Sequence, residues 1–267
     1  MNLKSPWIIR PHQKVALAEY DSAAHAGLSE EVAKASLVRR RKALGDLQEM
    51  LYASQQNSVL IVLQGMDTAG KDGTISHIFS GINPQGCDVA SFKVPTPLEA
   101  RHDFLWRCHQ KVPAKGMIGV FNRSHYEQVL APRVHKAITA KQARTNMEEI
   151  NDWESMLHQN GTLILKFFLH ISRQEQKSRL QARLDDPDKH WKFSEADLRE
   201  RAFWPQYQDA YEDLLSRTSR KHAPWFVIPA DFKWFRNHCI SSILVDSVSR
   251  LKLEYPKPTM DVTKIKL

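Results

Sequence analysis

The chain has 267 residues, with 38 Lys and Arg against 30 Asp and Glu, a formal charge of +8, 42% hydrophobic residues and 25% charged residues. Those values suit a globular protein that buries its core without disulfides, and they give no case for a fibrous or disordered chain. The positive balance predicts an acidic partner, and without a zinc finger, an RNA-binding aromatic signature or a long basic amphipathic helix, a phosphate-rich substrate is favoured over nucleic acid or membrane.

Residues 1 to 27 read as an extended, Pro-containing arm, with no apolar run suited to a signal peptide. No window reaches the roughly eighteen apolar residues of a membrane helix, so a cytoplasmic protein is expected. Ser29, followed by Glu30 and Glu31, predicts a helix N-cap, and Val32, Leu37, Leu44, Leu47 and Leu51 predict a long amphipathic helix behind it. Its cluster Arg39-Arg40-Arg41-Lys42 reads first as a solvated face. Val59 to Leu63 is short, continuous and branched, the pattern of a strand buried on both faces of a parallel sheet. A Gly-containing turn follows, then a helix marked by Ile75, Ile78 and Phe79 that should end near Gly81.

Further strands are predicted at 88–92, 116–121, 162–169 and 225–228, separated by helices. Met147, Ile150, Glu154 and Leu157 line one such helix, which Asn160-Gly161 stops. The charged stretch 174–218 reads as a lid-like insertion, in which Ser194 to Asp197 forms a capping box and Pro205 interrupts or restarts a helix. Ile240, Ile243, Leu244, Val248 and Leu251 mark a packing helix, and 255–267 a surface tail. The expected fold is a single α/β domain over 1–267, a P-loop kinase-like three-layer sandwich with a five-stranded parallel sheet, a helical lid, and an N-terminal arm and helix over 1–57. Cys87, Cys108 and Cys239 are an odd, widely spaced set and read as small core residues. The twelve His show no zinc spacing.

Gly65-Met-Asp-Thr-Ala-Gly70-Lys71 fits GxxxxGK between a predicted strand and a predicted helix, the setting in which that motif cradles phosphate. Ala69, Gly70, Lys71, Asp72 and Gly73 are the candidate phosphate contacts, through backbone amides and the Lys71 ammonium. Asp72 stands where the motif usually places a Mg²⁺-binding hydroxyl, so Asp67 is either a carboxylate for Mg²⁺ or its water, or a turn former. At the end of the third strand, where an acid usually assists Mg²⁺, Asn122 stands instead, with Glu127 as its acidic substitute and Arg123 as a planar fork for phosphate oxygens. Arg179 and Arg183, four residues apart, would share a helical face able to clamp anions.

Four motifs in order, Gly65-Met-Asp-Thr-Ala-Gly-Lys-Asp-Gly73, Phe121-Asn-Arg-Ser-His-Tyr-Glu127, Arg133-Val-His135 and Arg183 to Phe193, resemble the second family of polyphosphate kinases over nearly the whole chain. The resemblance implies a P-loop kinase fold, Mg²⁺ dependence with Asp67 and Glu127 at the metal, and inorganic polyphosphate as phosphoryl donor. It implies Asp67 and Lys71 in the phosphate loop, Arg123 in the second motif and Arg179 and Arg183 in the lid; Asp67, Lys71 and Arg123 are the candidate catalytic set, and Asn122, Arg123, Glu127 and Arg133 the candidate nucleotide contacts. The variant Asn-Arg-Ser-His-Tyr-Glu looks like the class III subgroup, which acts on both AMP and ADP, while Gln128 departs from the acid expected after Glu127.

The expected activity is reversible transfer between polyphosphate and adenine nucleotides, with guanine nucleotides as a further class, by a homo-oligomer. Two rivals are an ATP-dependent kinase of nucleoside monophosphates and a non-catalytic polyanion-binding module.

Overall fold

The computed structural model describes residues 5–261 and 265. Ser29 caps the first helix, its Oγ accepting from the Val32 amide at 3.3 Å. That helix, α1 (Glu30–Ser54), stops where Gln55 turns left-handed. Leu37, Leu44 and Leu51 are buried as their spacing predicts, but Val32 is exposed. It lies about 100° round the helix from Ala33, the residue that carries the buried face at that end.

β1 (Ser58–Gly65) is buried along its whole length, so its large aliphatic side chains contribute about 1.5–3 kcal/mol each. There follow α2 (Lys71–Ile78), β2 (Cys87–Ser91), α3 (Trp106–His109), β3 (Ile118–Asn122), α4 (Glu127–Val134), α5 (Ala140–Gln159), β4 (Thr162–His170), α6 (Arg173–Leu184), α7 (Glu195–Ala202), α8 (Trp204–Thr218), β5 (Trp225–Pro229) and α9 (Lys233–Val248). The five strands make one all-parallel sheet in the order β2-β3-β1-β4-β5. Helices α1, α2 and α9 pack together, as do α4, α5 and α8, giving the expected three-layer P-loop kinase-like architecture.

From β1 the chain moves to one side for β2 and β3 and to the other for β4 and β5. In such sheets the crevice at the carboxyl ends of the strands, where direction reverses, receives the ligand. Leu63 pairs with Asn122 and Gly65 with Leu169, so the loops leaving β1 and β3 emerge side by side there.

The N-terminal arm covers the free edge of β5. Ile9 N donates to Trp225 O and Val227 N to Trp7 O, both at 2.9 Å, which blunts an edge otherwise open to another strand. Val15 N and Leu17 N then bond Ser216 Oγ and Glu212 Oε1 on α8.

The stretch 174–218 is only partly a lid. Gln176, Arg179 and Leu180 of α6 and Ala210, Tyr211, Leu214 and Leu215 of α8 are buried, so both helices belong to the packed body. The exposed part is the 3₁₀ turn Pro187–Lys192 with α7. Ser194 Oγ accepts from Ala196 N at the start of α7, and α8 restarts at Trp204-Pro205, where a missing amide costs nothing. Of the tail 255–267, Tyr255 to Asp261 is exposed, and 262–264 and 266–267 lie outside the described residues.

Candidate active site

β1 delivers the chain into the Gly65–Gly73 loop through a backbone that requires glycine at two points. Gly65 has φ +153 and a Cβ there would meet Leu169 O at 2.8 Å; Gly70 has φ +102. The amides of Lys71, Asp72 and Gly73 open α2 and, as first-turn amides, take no intrahelical partner. Lys71 Nζ donates to Gly65 O at 2.7 Å, folding its ammonium back over the loop. Burial pulls the Lys71 pKa down, and Arg123 pulls it the same way, while Asp67, Glu127 and Asp72 push back.

The loop after β3 meets this one. Arg123, left-handed at φ +60, donates through Nη2 to Asp67 Oδ1 at 2.9 Å, with Nη1 3.9 Å from Glu127 Oε2. Burial works against its charge, but Glu127 and Asp67 more than offset that and raise its pKa. Asn122 Nδ2 donates to Asp72 Oδ1 at 2.6 Å. Thus Asp67, Lys71, Asp72, Asn122, Arg123 and Glu127, assigned from separate motifs, form one constellation.

Between those site residues the same motif carries anchors. Ser124, His125 and Tyr126 are fully buried. Tyr126 OH donates to Glu154 Oε1 at 2.8 Å, and His125 Nε2 lies 3.2 Å from the same oxygen. Lys166, in the middle of β4, donates to Glu154 Oε2 (2.6 Å), Thr218 O (2.7 Å) and Tyr126 OH (2.9 Å), which uses all three of its protons. A buried ion pair with its hydrogen bonds satisfied fixes the loop bearing Arg123 to the sheet. In the sequence Glu154 shows only as one of the residues that line a helix, with nothing to mark this role but the charges of Glu154 and Lys166 on two otherwise apolar stripes.

The three other sequence-assigned arginines have their nearest partners within the protein. Arg179 is buried against the protein: its Nη1 donates to Thr68 O (3.0 Å) and Ala69 O (3.1 Å), its Nη2 to Ala230 O (2.5 Å) and Asp231 O (2.9 Å), and its Nε to Glu175 (2.7 Å). With every nitrogen engaged, it holds the back of the phosphate loop. Arg183 braces the lid, donating to Lys192 O at 3.3 Å and lying 3.7 Å from Asp197 Oδ2. Arg133 pairs with Asp213 at 2.5 Å and ties α4 to α8.

Tyr207 and Glu200, which the sequence does not single out, stand beside His135 next to the site. Tyr207 OH donates to Glu200 Oε2 at 2.6 Å, and His135 Nε2 reaches the same oxygen at 3.0 Å. Burial, then Glu200, keeps the Tyr207 phenol protonated far above neutrality. Burial, and after it Asp67, raises the Asp197 carboxyl, so α7 of the lid stands within electrostatic reach of the loop.

No cluster of three or more His, Cys, Asp or Glu occurs among the described residues. The carboxylates of Asp67 and Glu127, both facing Arg123, nevertheless fit Mg²⁺, which takes one or two carboxylates and completes its shell with water and phosphate oxygens. No helix among the described residues is long and apolar enough to cross a membrane.

The family model described as polyphosphate kinase 2 matches residues 27–256. The chain is 47% identical over 260 residues to the AMP/ADP-polyphosphate phosphotransferase of Meiothermus ruber, covering 96% of this chain and 97% of that one. It is 50% identical over 228 residues to the ADP-polyphosphate phosphotransferase of Rhodopseudomonas palustris, covering 81% and 79%. The crystal structure of polyphosphate kinase 2 from Arthrobacter aurescens TC1 superposes with a TM-score of 0.91 at 45% identity, covering 93% of this chain and 90% of that one.

Proposed function

The chain belongs to the polyphosphate kinase 2 family, and from that membership we propose that it moves the terminal phosphoryl group of inorganic polyphosphate reversibly to AMP and ADP. The observation that carries this reading is the meeting of Lys71, Arg123, Asp67 and Glu127 at the open end of the phosphate loop.

An acceptor phosphate oxygen is already ionised at neutral pH, so no side chain has to take its proton before attack. The task is to bring two polyanions into line and offset their repulsion. The amides opening α2 donate to phosphate oxygens of the chain being shortened. Lys71 exchanges its Gly65 carbonyl for the phosphoryl group in flight, and Arg123 spans the gap between donor and acceptor with a planar fork. Asn122 donates an amide hydrogen beside it. Asp67 and Glu127 hold Mg²⁺, which offsets phosphate charge when bound. One phosphoanhydride breaks and one forms, so the equilibrium lies close enough to balance to run either way.

Arg179, Arg183 and Arg133 support this arrangement by holding the loop, the lid and α4. The reading extends to a cytoplasmic homo-oligomer that also accepts guanine nucleotides.

The test is to incubate the purified protein with Mg²⁺ and polyphosphate plus AMP, ADP, GMP or GDP in turn, following every nucleotide by chromatography. ADP and ATP should form from AMP only when polyphosphate is present. Equal phosphorylation of AMP by ATP alone would make the protein an ordinary monophosphate kinase. Gel filtration reads the assembly.

A further inference from the structure

Two buried arginines reach the phosphate loop from behind, and they differ in how their charge is met. Arg179 has a carboxylate, Glu175, at 2.7 Å. Arg236, near the start of α9, is 2% exposed and has no carboxylate partner among the described residues. Its Nε and Nη2 donate to the neutral Asn237 Oδ1 at 3.1 and 2.9 Å, and its Nη1 donates to Ala69 O at 3.3 Å. Burial, and after it the charge of Arg179, pushes its pKa down to about 9, which still leaves it a cation at neutral pH. A buried cation without a counter-charge costs free energy unless another charge arrives.

The approach to the loop is close. A Cβ on Gly70 would fall 1.9 Å from Arg236 Nη1, and one on Gly73 would lie 3.5 Å from Nη2. The guanidinium therefore lies against the turn into α2, in space that only a glycine at 70 leaves open. Ala69 O receives two donors, Arg179 Nη1 at 3.1 Å and Arg236 Nη1 at 3.3 Å. A trans peptide points its carbonyl and its amide hydrogen in opposite directions, so holding Ala69 O from behind fixes the direction of the Gly70 N–H.

We propose that Arg236 is a positioning residue for the phosphate chain: it aims the Ala69–Gly70 peptide at the ligand, and the bound phosphates supply the counter-charge that no carboxylate among the described residues gives its guanidinium. This rests on the reading of the loop as a phosphate site. It goes beyond that reading in assigning part of the work to a helix that touches the loop only from its far side.

The experiment titrates inorganic tripolyphosphate into the full chain by calorimetry, for the wild type, Arg236→Met and Arg236→Lys. The methionine variant should bind about tenfold or more weakly, through the loss of the charge-assisted bond to Ala69 O that aims the Gly70 amide at the site and of the cation behind it. Its ligand-free Tm should be unchanged or higher, because an uncompensated buried charge has gone, whereas a residue that only braces the fold would lower it. Lysine keeps the charge but cannot hold both Asn237 and Ala69, and should fall between the two.

Tripolyphosphate affinity in Arg236→Met within about twofold of the wild type overturns the proposal and leaves the functional reading standing. If the methionine variant does not fold, Arg236→Lys decides on the same twofold criterion. A wild type that binds no tripolyphosphate overturns the functional reading, and this inference with it.

Discussion

Arg123 Nη2 donates to Asp67 Oδ1 at 2.9 Å, tying the first residue after β3 to the loop that follows β1. The side chains are 45% and 26% exposed, so solvent screens the pair and it contributes about 1 kcal/mol or less to the fold. Arg123 nevertheless sits at φ +60, a conformation that costs a non-glycine residue about 1–3 kcal/mol. The pair does not offset that cost with much to spare, and strained residues cluster at ligand sites, which makes both residues the ones to test. Asp67→Asn and Arg123→Lys should each lower kcat by about a hundredfold or more while Tm moves little. Steady-state rates beside a thermal melt check this, and near-normal turnover in either variant removes that residue from the mechanism.

Lys71 is the loop cation, and its Nζ rests on Gly65 O. Lys71→Ala should cut turnover by about two to three orders of magnitude and leave Tm within a few degrees, since the lost bond caps a loop rather than fills the core. The sign of its titration gives a second test. Burial, then Arg123, lowers the Lys71 pKa, so its ammonium is lost at a lower pH than that of a free lysine. Activity should fall on the alkaline side before pH 10.5. Asp67→Asn removes a carboxylate that pushes the pKa up and should move that fall to lower pH in its residual activity. A pH–kcat/KM profile reads both.

Gly65 closes β1 against β4. An alanine there would bring Cβ to 2.8 Å from the Leu169 carbonyl, a backbone atom that cannot swing aside, at a φ of +153 that alanine tolerates poorly. Gly65→Ala should cost about 1–3 kcal/mol and tilt the phosphate loop, raising KM for polyphosphate as Tm falls. Calorimetry and a polyphosphate titration measure the two together. A variant with wild-type Tm and KM would mean that the loop re-forms around the added methyl.

What could be read from the sequence followed from pattern strength. β1 is legible because its apolar run is continuous, β4 because only Lys166 interrupts its run, and the phosphate loop because GxxxxGK stands between strand and helix. The lid limits were not, since a charged stretch does not say which of its helices buries Tyr211 and Leu214. The places of Arg179 and Arg236 behind the loop are not legible in the sequence for a common reason: the loop carbonyls they hold, Thr68 O and Ala69 O, lie more than a hundred residues away. The one local sign was a charge on an apolar stripe, Arg236 beside Phe235 and Ile240, Lys166 within Leu165 to Phe168, and Glu154 between Ile150 and Leu157.

The Lys166–Glu154 pair turns that sign into a stability test. Both side chains are fully buried, and Glu154 also receives Tyr126 OH and faces His125. Lys166→Met would leave Glu154 charged and without its cation, at a cost of about 3–5 kcal/mol, whereas Lys166→Met with Glu154→Gln should cost less than the sum of the single changes. Urea denaturation gives all three values. Two groups of this network contribute to the pH dependence, alongside His170, His222 and His238, whose pKa values burial also lowers. Burial, outweighing Glu154, lowers the His125 pKa below 6.5, so as pH falls through 6.5 the unfolded chain takes a proton that the fold refuses, and stability drops. Burial opposes the Glu154 charge, but Lys166 and His125 more than offset it, so the stability Glu154 contributes is present above pH 4.5 and is lost as pH falls through its lower folded value. Wild-type urea midpoints should therefore fall in two stages on acidification, and His125→Asn should flatten the first. Because this network carries the loop that bears Arg123, acid loss of activity should begin in that first stage. A midpoint that stays flat from about pH 7 to pH 5 would mean that His125 is charged in the folded protein.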